Sequence, residues 1–177
     1  GDTDIKTDMK NAESYLFAQI QGKIAKKIGY TLGLGGTRIW YKEGANDATY
    51  YFLRPAVQLS YSPNDYFSIK YAFNVNTRTP SLGQLSNVEQ QTDSYQINRG
   101  NPNLKPYKTY NNRLTFGYNK GMLDLSTTFG YMYFHKLIIS TYSIENDKII
   151  SFADNQKGQN YLYWSVNATA KIIKDIW

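Results

Sequence analysis

Cysteine is absent from the 177 residues, and histidine occurs once, at His135. Without cysteine there are no disulfides, no thiolate nucleophile and no Cys-ligated zinc or iron–sulfur site. With one histidine, a Ser–His–Asp triad would have to be built on His135, and a two-histidine metal site cannot form within the chain. Charge is also scarce: Asp, Glu, Lys and Arg make up 19% of the residues while aromatics reach 16%. Disordered chains show the opposite balance, rich in charge and poor in rings. No run of about 18 apolar residues occurs, which excludes a transmembrane helix. It does not exclude a β-barrel, whose strands alternate apolar and polar residues and average out as hydrophilic.

Residue 1 is Gly, and no signal peptide with an apolar core follows it. The far end stops at Ile176-Trp177, just after a Lys174-Asp175 turn signal. Both ends read as cuts in a longer protein. Residues 1–11 are expected to be a flexible lead-in and 12–177 a single β segment.

What is present is period two. From Tyr161 to Ile172 the even positions are Leu162, Trp164, Val166, Ala168, Ala170 and Ile172, against Tyr, Ser, Asn, Thr and Lys at the odd ones. Phe67, Ile69, Tyr71, Phe73 and Val75 oppose Ser68, Lys70, Asn74 and Asn76 in the same way, and Leu123, Leu125, Phe129, Tyr131 and Tyr133 oppose Asp124, Ser126 and Thr128. Weaker alternation runs through Leu16/Ala18/Ile20, Tyr30/Leu32/Leu34, Val57/Leu59/Tyr61 and Leu114/Phe116/Tyr118. The expectation is an all-β, antiparallel up-and-down meander of about seven to eight strands.

The breaks alternate in length. Short ones fall at Lys26-Lys27, 62–65, 119–121 and Lys174-Asp175, where Pro, Asn, Asp and Gly are turn formers. Longer ones fall from Lys42 to Thr49 and from Arg78 to Pro106, and a short tip at 145–148 joins two strands that run on past membrane height. Tight turns at one end and long loops at the other suit an outer-membrane barrel. A soluble barrel, its apolar face turned inward around a hydrophobic small molecule, shows the same alternation. Its polar face would carry Lys, Glu and Asp freely. Here the polar faces are mostly Ser, Thr, Asn, Gln and Tyr, with isolated Lys70, Arg54, Arg113 and Asp124. A crowded, wet lumen accounts for that better than open solvent, so the meander is read as part of a larger transmembrane β-barrel.

Arg78-Thr79-Pro80-Ser81 ends one strand, and Arg99-Gly100-Asn101-Pro102-Asn103-Leu104-Lys105-Pro106 leads into another. An R-x-P-S strand end followed by G-N-P-x-L-K-P resembles the C-terminal barrel of TonB-dependent outer-membrane receptors, in the outer-membrane β-barrel family common in Bacteroidetes. Tyr15–Gln19 with Gly33-Leu34 resembles two earlier strands of that family, although position 35 is Gly where the family has Arg, and Phe52-Leu53-Arg54-Pro55 resembles its strand-entrance motif. The resemblance implies a receptor of more than twenty strands in the Gram-negative outer membrane, with a plug in the lumen and nutrient import energised through TonB. The expected partners are thus the rest of the parent barrel, its plug, TonB through the parent, outer-membrane lipid and an unidentified nutrient. Physically, Gly100 is expected to supply a positive φ and Pro102 and Pro106 to end any ladder around them, making the motif a rigid re-entry from the 82–99 loop.

Other chemistries find little support. The net charge of +6 is spread along the chain, and the aromatics share faces with aliphatics rather than with Lys and Arg, so nucleic acid is not an expected partner. Gly33-Leu34-Gly35-Gly36 lacks the helix and Lys-Ser/Thr of a phosphate loop, and its small residues are expected to admit a neighbouring wall or plug. No catalysis, cofactor or metal is expected. Candidate substrate contacts are Asn87, Tyr95, Arg99, Tyr142 and Phe152 in the loops. Lys70, Asn74, Arg113 and Asp124 are candidates for the lumen, with ion pairs possible from Asp124 to Lys70 or Arg113. Tyr15, Tyr66, Tyr118, Tyr131, Tyr133, Trp40 and Trp164 are candidates for aromatic girdles.

Overall fold

The computed structural model describes residues 9–43, 46–86 and 89–171. The expected contact Asn87, residues 1–8 and the 174–175 turn lie outside these. Four strands come first, β1 (Met9–Ala25), β2 (Ile28–Glu43), β3 (Asn46–Tyr61) and β4 (Phe67–Arg78). One helical turn, α1 (Leu82–Leu85), and two short strands, β5 (Gln90–Gln91) and β6 (Gln96–Arg99), follow. β7 (Tyr107–Lys120), β8 (Leu123–His135), β9 (Ile138–Glu145), β10 (Lys148–Asn155) and β11 (Gln159–Ala170) complete the chain. The large sheet is antiparallel, in the order β1-β2-β3-β4-β7-β8-β11, and its seven strands are the seven segments that the alternation picks out. A second sheet, β5-β6-β10-β9, stands at the loop end.

Cross-strand partners share a face, so the register sorts the side chains. Along one level Leu59 pairs with Tyr71, Tyr71 with Leu114, Leu114 with Phe129 and Phe129 with Trp164, all on the apolar face. Along another Ser60 pairs with Lys70, Lys70 with Thr115, Thr115 with Thr128 and Thr128 with Ser165, all on the polar face. Most of the apolar face is uncovered, with Leu16, Leu53, Leu162 and Trp164 82%, 67%, 75% and 67% exposed, and Val75 near its loop end is buried. Among the described residues β1 and β11 are the sheet's edges and do not pair with each other. Among the described residues the sheet is open and its apolar face encloses no cavity, unlike the closed barrel of the soluble alternative.

The turn end is tightly tied. Asn64 Oδ1 accepts from the Tyr66 and Phe67 N–H groups at 2.9 and 3.0 Å, and Lys27 O accepts from Ser62 N–H at 3.0 Å. At the loop end the strands outrun their apolar cores. β2 and β3 pair through Lys42–Asp47 and Glu43–Asn46, so the long break expected from Lys42 to Thr49 is mostly ladder. Polar residues there are free to stay extended, because past the apolar band neither face needs a greasy side chain. The strands leading to the 145–148 tip do not simply run on. The break at Lys136-Leu137 and the 156–158 stretch set β9 and β10 into the second sheet, where Asn146 and Asp147 take φ of 50° and 60° in a tight hairpin turn.

Pro55 does not open a strand. It lies inside β3, where the β2 ladder passes through it while the β4 ladder runs only from Ala56–Asn74 to Tyr61–Ile69. A residue without an N–H can hold one ladder and stop the other. Gly33 and Gly35 admit rings of the adjacent strand rather than a plug: a Cβ on Gly33 would sit 2.7 Å from the Phe17 ring, and one on Gly35 2.9 Å from the Tyr15 ring. Tyr15 is thus on the polar face and leaves the girdle. Trp164 faces outward at mid-height, stacked on Phe129 at 6.0 Å, and its indole N–H donates to Thr127 Oγ1 at 2.7 Å. That bond satisfies a polar group which would otherwise favour the interface.

The apolar core of this chain lies in the loops, where Leu85, Leu104 and Ala153 are buried with Tyr41 and Ile138 packed on them. Asn101 organises it, donating through Nδ2 to Ala153 O at 2.9 Å and accepting at Oδ1 from Asn103 N–H at 3.0 Å. Its own N–H donates to Gln84 O at 2.6 Å. Gly100 is not in the left-handed region expected for it. The requirement is space, since a Cβ would sit 1.8 Å from Ser86 O.

Two outcomes follow. With Trp40→Phe and Trp177→Phe in place, Trp164 fluorescence is strongly quenched by chain-brominated detergent; an unquenched Trp164 in folded protein would put the face elsewhere. Gly100→Ala destabilises the loop platform by about 2 kcal/mol, read as faster amide exchange at residues 96–104 with the large sheet unchanged.

Candidate functional site: the polar face and the loop platform

Lys70, Asn74, Arg113 and Asp124 all lie on the polar face, but not as one cluster. Arg113 is diagonal to Lys70, since Lys70 pairs with Thr115 and Ala72 with Arg113. Asn74 Oδ1 accepts from Asn111 Nδ2 at 2.7 Å and from Asn76 Nδ2 at 3.3 Å. Thr115 and Thr128 hydroxyls are 3.0 Å apart. Asp124 lies at the turn end, opposite Asn119 and Thr169. Its register is four residues from the level of Lys70, roughly 13 Å along the strand, and no ion pair joins it to Lys70 or Arg113 among the described residues. The polar face thus combines amide and hydroxyl groups with separated cations, a surface suited to water and to another polar surface.

Arg54, on the same face, lies 5.6 Å over the Tyr15 ring and 3.8 Å from Glu13. Tyr15 therefore serves as platform for a cation above Gly35, which explains why a large ring stands beside a residue without a side chain.

Where the polar face meets the loops there is a cleft of about 520 Å³, lined by Asn11, Tyr41, Arg78, Gln84, Tyr107 and Ile138 among others. Arg78 and Tyr107 are cross-strand partners at the top of β4 and β7. Ser81 caps α1 above them, its hydroxyl accepting from Gln84 N–H at 3.3 Å while Gln84 Oε1 accepts from Ser81 N–H at 2.9 Å. Sequence reasoning missed this cleft. Its signal was present as the Ser81-Leu82-Gly83-Gln84 capping box and the shared parity of Asn74, Asn76 and Arg78.

Of the expected loop contacts, Tyr95 and Tyr142 are 72% and 67% exposed. Phe152 is half-buried in β10, paired with Thr141 and Arg99. Arg99 is occupied by a clamp. Its Nε donates to Glu89 at 2.7 Å, and Nη1 and Nη2 donate to the two Glu145 oxygens at 3.2 and 3.0 Å. This joins the 82–99 loop to the β9–β10 hairpin. The bidentate guanidinium holds the Glu145 carboxyl below its usual range, through hydrogen bonding first and charge second. No group of three or more His, Asp or Glu side chains suited to a metal occurs among the described residues.

The outer membrane protein β-barrel family matches residues 8–177. Comparison with curated sequences finds no match. Among solved structures the chain is similar to the FrpB iron transporter from Neisseria meningitidis, at 15% identity over 94% of this chain and 24% of that one, with a TM-score of 0.69. The copper transporter OprC matches at 14% identity, 94% and 27% coverage and a TM-score of 0.78. The Serratia marcescens hemophore receptor HasR, in complex with its hemophore HasA and heme, matches at 12% identity, 90% and 32% coverage and a TM-score of 0.73. The chain thus spans about a quarter to a third of each.

The clamp yields a pH dependence with a definite sign. A depressed folded-state carboxyl contributes order that is present above the unfolded value and lost as pH falls through the folded one. Amide protection at residues 96–99 and 143–149 is therefore constant near neutrality and falls below about pH 4. In Glu145→Gln it is lower near neutrality and flatter with pH over that window.

Proposed function

The chain belongs to the outer membrane protein β-barrel family, and from that membership we propose that it is one stretch of the wall of a nutrient receptor in the Gram-negative outer membrane. The observation that carries this reading is the division of the large sheet into an exposed apolar face, charged only toward its two ends, and a polar face. Within it the apolar face meets lipid, and Lys70, Asn74, Arg113 and Asp124 line the lumen against a plug contributed elsewhere in the parent protein. Amide and hydroxyl groups with spaced charges favour such a partner, because it can move without tearing apart a buried ion-pair network. Import is driven through TonB coupled to that plug.

The loops stand over the lumen mouth. A captured nutrient meets Tyr95 and Tyr142 first and then the Arg78–Tyr107 cleft, with Arg99 holding the loops in place. Phe152, half-buried in the β10 arm of the hairpin, supports this loop surface. The open edges of β1 and β11 pair with further strands of the parent barrel, since an unpaired ladder in hydrocarbon is untenable. The wall itself carries no chemistry; its contribution is shape, hydration and access.

This stretch contains no cysteine, so a single cysteine placed in it reports on its own position once any cysteines elsewhere in the parent protein are replaced. In the complete protein in native outer membranes, Asn74→Cys and Arg113→Cys are shielded from a water-soluble maleimide by the plug and react once the plug is removed. Val166→Cys reacts only with a lipophilic reagent in both cases. Equal labelling of Asn74→Cys and Val166→Cys by the water-soluble reagent in intact membranes would overturn the reading.

A further inference from the structure

A second cleft, of about 510 Å³, opens on the outward side of the wall just below the loop platform, away from the lumen. Lys105, Lys136 and Lys157 line it with His135 and Asp154. The lysines come from three distant stretches: the entry to β7, the β8–β9 junction and the β10–β11 junction. Asn155 gathers two of them. Its Nδ2 donates to the carbonyls of Lys105 and Lys136 at 2.9 and 2.7 Å, and its Oδ1 accepts from Lys105 N–H at 2.7 Å. Lys136 holds a φ of 58°, a left-handed backbone that a residue with a side chain adopts only under constraint. The register adds Lys108, the outward-facing partner of His135. Asp154 is the only carboxylate lining the cleft among the described residues, and it is engaged by Asn155 N–H at 2.8 Å.

The height of this cluster matters as much as its charge. Directly below Lys108 and His135 come the outward rings Tyr110 and Tyr133, 6.0 Å apart. Below these the outward pairs are Asn112–Tyr131, Leu114–Phe129, Phe116–Thr127 and Tyr118–Leu125, with no charged residue until Lys120 at the turn. Twelve residues separate Lys108 from Lys120, about 40 Å of strand, and a tilt of roughly 40° projects that to about 30 Å, the thickness of a hydrocarbon core. The lysines therefore stand at headgroup level, on the lipid side, directly over a band that accepts acyl chains. A net positive cleft at that position is complementary to an anion carried on a lipid rather than to a solute in the lumen.

We propose that the Lys105–Lys136–Lys157 cleft binds the phosphate of an outer-leaflet glycolipid headgroup, whose acyl chains lie along the Leu114–Phe129 band. The proposal rests on the membrane-wall reading above. It gives the positive φ of Lys136 and the Asn155 bracket a common purpose, which is to hold cations from three loops around one anion.

The test uses the complete protein purified from outer membranes, titrated in mixed micelles with phosphorylated lipid A and with the same lipid dephosphorylated, bound lipid being counted by native mass spectrometry. The wild type is expected to prefer the phosphorylated lipid by at least about tenfold. K105Q/K136Q/K157Q removes the preference, and K26Q/K27Q at the opposite rim keeps it. The three single substitutions, each lowering the preference about fivefold, keep the result readable if the triple variant fails to fold. Equal binding of the two lipids, or a preference unchanged in the triple variant, overturns the proposal. Displacement of the lipid by equimolar inorganic phosphate overturns the lipid source in favour of a free anion. If Val166→Cys labels as a water-exposed position, the membrane-wall reading fails and this site with it. If that face is lipid-buried and the lipids bind alike, the phosphate site alone fails.

Discussion

A strand that crosses hydrocarbon must satisfy its backbone N–H and C=O groups within the ladder, because no water is available to do so. The large sheet depends on this constraint. Its seven strands pair with their neighbours along most of their length, the exceptions being a register shift between Lys23 and Ala25 in β1 and the upper reach of β3 against β4, where Pro55 removes a donor. Once the backbone is paired, the pleat assigns alternate side chains to lipid and to water. The apolar face then needs no covering core. This is why Leu16 and Leu162 stand largely exposed in the chain while the small buried cluster of Leu85, Leu104 and Ala153 lies in the loops.

The loop platform obeys ordinary globular rules instead. It is held by a short apolar core, by Asn101 satisfying backbone groups of two segments, and by Arg99 clamped between two carboxylates. The two regions meet at residues belonging to both. Tyr41 extends from β2 to the loop core, and Arg78 and Tyr107 end their strands below α1. The loop platform and the polar face thus share side chains at the tops of β2, β4 and β7.

Much of the wall was legible in the sequence. Period two in seven segments located every strand of the large sheet, and the parity of Lys70, Asn74, Arg113 and Asp124 assigned them to one face. Alternation is a local property and survives without knowledge of partners. What it could not supply was the level at which residues on different strands meet. Asp124 shares a face with Lys70 and Arg113 but sits near the turn, beyond their reach. Trp164 and Tyr15 resembled girdle residues by type, yet one is satisfied by Thr127 at mid-height and the other covers Gly35 on the wet side. The G-N-P-x-L-K-P stretch was read as a stiff re-entry. Its stiffness comes from Asn101 hydrogen bonds and a close approach to Ser86 O rather than from glycine conformation.

The sequence by itself determined an antiparallel wall with one apolar and one polar face, tight turns at one end and long loops at the other. These follow from side-chain alternation and turn chemistry, which act within a few residues. Only the tertiary structure decided that Arg99 joins Glu89 to Glu145, that Arg78 and Gln84 share a cleft, and that Lys105, Lys136 and Lys157 gather on the outward rim. Each brings together segments far apart in the chain, and that proximity depends on strand register and loop path, which no local pattern encodes.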